Sequence, residues 1–469
     1  MRSEIEHAVT ESFEGALSSL KRFLSIPSVS TQNRGMDEAV SYLCEVLRSL
    51  GAEAKVVPTD GFPAVIGSFE PLGDTAGQPT LLLYGHYDVQ PEDPIGLWTS
   101  PPFEPSIRDG VLYARGATDD KGNIMAALWG IAVARRIGAA IPRVTFCLEG
   151  EEEIGSPHLP QILERYRSEL AADACILCDR GIHESGAAQI YLGNKGMVSV
   201  RLRASGPARD VHSSQAPLIP NPARQLMEVI ARISTEAGRV AIDELLTQAR
   251  RPDKDETALL EALPFDGAAY ARGYGLPQGA LLLQGEVLET FEQLLFRPTA
   301  NVQGFHSGYG GSGNKTIIPS TAEAKMDIRL SPGMDKQRTA DAVRAVLARA
   351  SVEVGRGQGD WLTIDVSGDM DPYVAPVSHP AVQAALRAGA AVYPGRPVVW
   401  PLVDGSGPLK SFADCIGGPA FLIGLGNPFA TANTHAPDEN LDLETYRRGI
   451  AMMAQFLLEY GDIREGVRR

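Results

Sequence analysis

Leu81-Leu-Leu-Tyr-Gly-His-Tyr-Asp-Val-Gln-Pro91 is apolar or small through its first five residues and then turns to a histidine and an aspartate. The run Thr80–Gly85 is apolar on both faces, the pattern of a strand covered from both sides. Val144–Leu148 and Ala174–Cys178 have the same character, and an apolar helical pattern, Ile124–Ala134, lies between the first two runs. Upstream, Ala39, Val40, Leu43, Val46, Leu47 and Leu50 repeat at helical spacing until Gly51 stops them. Buried strands separated by helices predict an α/β fold, a mostly parallel sheet covered by helices.

From Lys195 the texture changes. Val198, Val200, Leu202 and Ala204 alternate with Ser199, Arg201 and Arg203, as in a strand with one wet face. Ala322, Ala324, Met326, Ile328 and Leu330 repeat the pattern. Asn221-Pro222 opens a helix, and Val343, Val346, Leu347 and Ala350 mark another. Beyond Pro376 buried segments return: a helix from His379, the apolar run Ala420–Leu425 and a helix over Leu443–Tyr460. The predicted organisation is one α/β domain formed by 1–194 and 377–469, interrupted by a smaller α+β sandwich over 195–376.

The chain has 469 residues, 44% of them hydrophobic, with a net charge of −15 and a pI near 5.1. Nucleic acid and anionic membrane surfaces would be repelled by that field. The N-terminus lacks the apolar core of a secretory signal, and Ile124–Ala134 is too short to span a bilayer. Five cysteines, an odd number, fit a reducing cytoplasm. Cys175 and Cys178 have the spacing of a redox pair, but they lie in a run that reads as a buried strand.

Polar chemistry gathers where the apolar runs stop. On an extended chain His86 and Asp88 project the same way, and a carboxylate beside an imidazole can fix its tautomer for metal binding. A histidine at a strand end and an aspartate opening a turn would be spelled the same way. Asp119 and Asp120 precede the Ile124–Ala134 helix, where open α/β sheets place ligands, although adjacent aspartates also serve as a solvated N-cap. Glu149-Gly-Glu-Glu-Glu-Ile-Gly-Ser156 follows the Val144–Leu148 run with a density of like charge that a divalent cation would relieve. Asp179 ends the Ala174–Cys178 run, and His435 follows Ala420–Leu425. Two histidines with several carboxylates suit zinc, manganese or cobalt, in sufficient number for two ions sharing a bridge.

These segments, His86-x-Asp88, Gly116-Ala-Thr-Asp-Asp-Lys-Gly122, Glu149 to Ser156, Asp179 and His435, match a known family in order over nearly the whole chain. The chain resembles the dinuclear metal-dependent peptidases of the aminoacylase and carboxypeptidase G type, most of all the cytosolic nonspecific dipeptidase/carnosinase branch. The resemblance implies that the α/β part is catalytic and the inserted part a lid and dimerisation domain. It implies His86 and Asp179 on one metal ion, Glu153 and His435 on the other, and Asp119 bridging them. Asp88 would orient His86. Glu152 would be the general base, taking a proton from a water between the ions and passing it to the leaving amine. A cis peptide bond is expected at Asp119-Asp120.

In the inserted domain, Arg209-Asp-Val-His-Ser213 resembles a segment whose histidine, here His212, helps hold the oxyanion in a neighbouring subunit, which implies a homodimer. Taken alone, a histidine between Val211 and Ser213 reads as a surface residue. Arg329 matches an arginine that binds the substrate carboxylate, and His379 and Ser406 match substrate-contacting positions. One loop departs from the pattern: Leu402-Val-Asp-Gly-Ser-Gly-Pro408 stands where the dipeptidase branch often has Arg-Glu-Gly-Gly-Ser-Ile-Pro. Hydrolysis of dipeptides or short peptides is the leading expectation, and deacylation or desuccinylation of N-acyl amino acids the alternative. Gly308-Tyr-Gly-Gly-Ser-Gly313 fits a dinucleotide fingerprint in letters only, since neither a buried strand nor a helix flanks it.

Overall fold

The computed structural model describes residues 2–463, apart from 74–76, 139, 236–237, 278 and 282–285. The chain forms two compact units: Met1–Leu192 with Ala375–Trp400 and Ser411–Arg469, and Gly193–Val374 with Pro401–Lys410. No helix among the described residues is long and apolar enough to cross a membrane.

The first unit is built on an eight-stranded sheet. From one edge to the other its strands are Glu53–Val57, Ala64–Phe69, Val144–Glu149, Leu81–His86, Ala174–Leu177, Ala420–Ile423, Gln189–Tyr191 and Val398–Trp400. The four central strands are mutually parallel, and antiparallel pairs occur only toward the edges. Every residue of Val144–Glu149, Leu81–His86, Ala174–Leu177 and Ala420–Ile423 is buried, which accounts for their largely apolar spelling up to the terminal His86 and Glu149.

Helices cover both faces. Helix Lys121–Arg136 packs on the face to which Gly85 points, so closely that a Cβ at Gly85 would lie 2.6 Å from Ile124 Cγ1. On the opposite face Tyr84 meets Phe412 of helix Leu409–Ile416, with ring centroids 4.8 Å apart. Helices Arg2–Leu24 and Leu443–Gly461 pack on Lys121–Arg136, and Pro380–Val392 packs on Leu443–Gly461.

The second unit has a six-stranded sheet whose central strand is Gly193–Ser205. Thr321–Leu330 and Leu362–Met370 flank it antiparallel, and Thr299–Ser307 extends the Thr321–Leu330 side. Its inward residues, among them Val198, Val200, Leu202, Met326 and Ile328, pack with Leu226, Val229, Val343 and Leu347 of helices Pro222–Ile230 and Lys336–Gly355. The alternation read from the sequence is this one-sided burial. Four short helices not marked by the pattern, Asp243–Gln248, Lys254–Ala262, Gly267–Gly273 and Val287–Phe296, also belong to this unit. So does strand Val403–Ser406, which runs parallel to Gly193–Ser205. Gly308–Gly313 joins Thr299–Ser307 to the short strand Ile317–Ile318 with no helix after it, so it forms no dinucleotide cradle.

Gly130 sits where helices Lys121–Arg136 and Leu443–Gly461 touch: a Cβ there would come within 2.5 Å of Met453 Cβ and 2.7 Å of Ile450 O. Gly130→Ala is therefore expected to lower unfolding free energy by about 1–3 kcal/mol through overpacking, despite alanine's better helix propensity. Urea denaturation should show the midpoint falling with an unchanged slope.

Candidate metal centre

Parallel strands point the same way, so whatever follows each of them collects along one edge of the sheet. His86 stands opposite Glu149, and Tyr84 opposite Leu177. The segments leaving these strands bring Asp88, the Glu149–Glu153 turn and Asp179 together. Helix Lys121–Arg136 begins at the same edge, immediately after Asp119 and Asp120, and the peptide bond between those two aspartates is cis. The chain leaving Ala420–Ile423 returns through Phe429–Ala432 to deliver His435.

Asp119 is the point of convergence. Its Oδ1 lies 3.1 Å from His86 Nε2 and its Oδ2 lies 2.9 Å from His435 Nε2. His435 Nε2 is also 3.3 Å from Glu153 Oε2. Two sets of potential ligand atoms result, His86 with Asp119 and Asp179, and Asp119 with Glu153 and His435, each with all its atoms within 4.8 Å of one another. One carboxylate shared by two triads is the donor arrangement that a pair of divalent ions requires, and the mixture of imidazole and carboxylate suits zinc, manganese or cobalt better than calcium.

Asp88 braces this arrangement in two ways. His86 Nδ1 faces the Asp88 carbonyl at 3.1 Å and its carboxylate Oδ1 at 3.4 Å. A proton held on Nδ1 leaves Nε2 as the ligand nitrogen. The Asp88 carboxylate also accepts the backbone N–H groups of Glu152 at 3.2 Å and Glu153 at 3.1 Å. The orientation of one ligand and the turn carrying two further acidic groups thus depend on one side chain. Gln90 Nε2 donates to Glu153 Oε2 at 2.7 Å, and Asp120 accepts the His86 backbone N–H at 3.1 Å.

The electrostatics of the cluster favour added positive charge. Burial pushes Glu152 up to about 8, with Asp179, Asp119 and Glu153 adding to the rise and His86 opposing it. Burial likewise raises Glu153 and Asp179. Burial would also raise Asp119, but the hydrogen bonds from His435 and His86 outweigh it and hold this carboxylate well below its usual range. The same bonds to Asp119 and Glu153 lift His435 to about 10. Four acidic side chains against two imidazoles leave excess negative charge in a partly buried place, and cations bound there would offset it. His435 is also held in the left-handed region at φ 61°, a strained conformation for a non-glycine residue.

The other sequence-predicted residues belong to neither triad. His379 caps helix Pro380–Val392, its Nδ1 accepting the Ala381 N–H at 3.2 Å, and belongs to neither triad. In the second unit, Arg329 donates from Nη1 to Ser406 Oγ at 2.8 Å and from Nε to Asp327 Oδ2 at 3.1 Å. His212 is exposed at the end of the short strand Val211–His212, and its Nδ1 accepts the Ser214 N–H at 3.2 Å. Two supports were missed in the sequence. Glu439 is fully buried beneath the Asp119 loop, and Tyr84 donates to Glu149 from within a strand. An acidic residue in a loop reads as solvated, and a tyrosine in an apolar run reads as core, so neither announces itself.

The chain is similar to known peptidases. Residues 82–459 match the family described as Peptidase family M20/M25/M40. A cysteinylglycine-S-conjugate dipeptidase of Corynebacterium striatum is 28% identical over 91% of this chain and 90% of its own. The human Beta-Ala-His dipeptidase is 25% identical over 95% of this chain and 90% of its own. An M20 family metallo-carboxypeptidase from Sulfolobus solfataricus superposes with a TM-score of 0.86 at 34% identity, covering 96% of this chain and 99% of the other. With two groups of potential metal-ligand side chains at the sheet edge and a match spanning most of its length, the chain belongs to the M20/M25/M40 family of metallopeptidases.

Proposed function

We propose that this chain is a dinuclear metal-dependent hydrolase that cleaves the peptide bond of dipeptides or short peptides. The observation that carries the proposal is Asp119, one oxygen directed to each of two histidine-containing triads, with Glu152 among the same carboxylates. His86 and Asp179 would hold one ion, Glu153 and His435 the other, with Asp119 common to both. Zinc, manganese or cobalt fits these donors. When bound, the ions supply Lewis acidity that lowers the pKa of a water and polarises the scissile carbonyl.

The chain's own groups manage position and protons. Glu152 is the general base: partly buried and not tied to an imidazole, it takes a proton from the attacking water and returns it to the leaving amine. Asp88 keeps His86 and the Glu152–Glu153 turn in place. Arg329, His379 and Ser406 are assigned to the substrate side, and His212 to the oxyanion of a neighbouring subunit in a homodimer, roles that rest on the family resemblance. For His379 the helix cap described above is a competing role. The dipeptidase names of the relatives support a dipeptide substrate, and five buried free cysteines fit the cytoplasm. The departure at Leu402–Pro408 favours one second reading, the same centre acting on N-acyl amino acids.

Metal content tests the shared bridge. After dialysis against a weak chelator, elemental analysis should find about two ions per chain, about one in His435→Ala and fewer than one in Asp119→Ala. Equal retention by both variants would refute the assignment. For the chemistry, Glu152→Gln should keep its metal and lose roughly 10²–10⁴-fold in kcat. Mass spectrometry of amine release from dipeptides offered beside N-acyl amino acids separates the two substrate readings: dipeptide cleavage supports the first and deacylation the second.

A further inference from the structure

Glu439 is fully buried, lies four residues beyond His435 and belongs to neither ligand triad. Its two carboxylate oxygens take four hydrogen bonds. Oε1 accepts the backbone N–H groups of Thr118 at 2.9 Å and Asp119 at 3.0 Å. Oε2 accepts the N–H of Gly116 at 2.9 Å and Arg115 Nη1 at 2.8 Å. All four donors come from the short segment that presents Asp119. Arg115 is itself 1% exposed, so the ion pair has no water to replace either member.

The same region is tied to the chain carrying His435. Glu439 O accepts the Ala114 N–H at 3.1 Å, and Thr118 Oγ donates to Asn440 O at 2.7 Å. Strand Asn440–Asp442 continues the pairing against Val111–Tyr113. Asp438, the neighbour of Glu439, accepts the N–H of Thr99 at 2.8 Å. The two ligand segments are over three hundred residues apart in sequence, and the Glu439 carboxylate is where the later one grips the earlier.

We propose that Glu439 is a positioning residue for the metal centre, fixing the Asp119 backbone relative to the His435 loop and thereby setting the affinity of the Asp119–Glu153–His435 site. The inference rests on the dinuclear reading and deepens it. His86 and Asp179 issue from strands paired independently of Glu439, so the site they form with Asp119 depends on it less. In Glu439→Gln an amide NH₂ replaces one oxygen and turns a donor toward other donors, either the Thr118 and Asp119 amides or Gly116 and Arg115. A neutral side chain also leaves Arg115 buried without its counter-charge.

The test is isothermal titration of manganese(II) into metal-free protein, with circular dichroism to check folding. The wild type should bind two ions, and the step absent in His435→Ala identifies the site in question. Glu439→Gln should weaken that step by roughly 10–100-fold and leave the other within about threefold. A general loss of stability would instead weaken both steps together, and that result, or two unchanged steps, overturns the inference. Should Glu439→Gln not fold, Glu439→Asp, which keeps the charge but withdraws it by one methylene, should show the same site-selective weakening, and unchanged or uniformly weakened steps there overturn it equally. A wild type that takes only one ion overturns the dinuclear reading and the inference with it, whereas two ions in the wild type with an unaffected variant overturn the inference alone.

Discussion

Asp119 presents one oxygen to His86 and the other to His435 while Glu153 and Asp179 stand close by, and the fold has to hold that concentration of charge. Two like charges 4.8 Å apart repel by about 3–4 kcal/mol at an effective dielectric of 20. Two such pairs, Asp119 with Asp179 and Asp119 with Glu153, are comparable with the net stability of a domain, about 5–15 kcal/mol. Without cations, imidazolium at His86 and His435 and protonated carboxyl groups are the available relief, and burial raises Glu152, Glu153 and Asp179 in that direction. Divalent ions would replace those protons and leave Glu152 free to act as a base.

Rigid parts enforce the crowding. Adjacent parallel strands, buried on both faces, end in register, so His86, the Glu149–Glu153 turn and Asp179 cannot drift apart without breaking the sheet. Lys121, the first residue of the helix after Asp120, is itself buried and donates to the carbonyls of Phe23 and Ile26, anchoring the helix start to the end of Arg2–Leu24. From the other side Glu439 and Arg115 fasten the Asp119 loop. Polar groups thus occupy positions usually left to apolar packing, each with its own partner.

The sequence made the centre legible for a physical reason. A strand buried on both faces is mostly apolar, so the first titratable residue at or just past its end marks where it stops, and His86, Glu149 and Asp179 are all marked in this way. Alternation in Gly193–Ser205 and Thr321–Leu330 revealed one-sided burial equally directly. The helix read as Ile124–Ala134 is in fact Lys121–Arg136, because Lys121, Gly122 and Asn123 are buried through hydrogen bonds and close packing that no hydrophobic count detects. Short strands such as Gln189–Tyr191 and Val398–Trp400 escaped notice, since three residues carry no period. The membership of Pro401–Lys410 in the second unit depends on pairing with a strand two hundred residues earlier. Glu439 was invisible for the same reason: its donors are backbone amides of a distant segment.

The shared bridge is the central claim, and diffraction from crystals grown with zinc, recorded at the zinc absorption edge, tests it most directly. Two anomalous peaks about 3.5–4 Å apart are expected, one beside His86 and Asp179 and the other beside Glu153 and His435, with an Asp119 oxygen on each. A single peak, or two peaks that do not share Asp119, would contradict it.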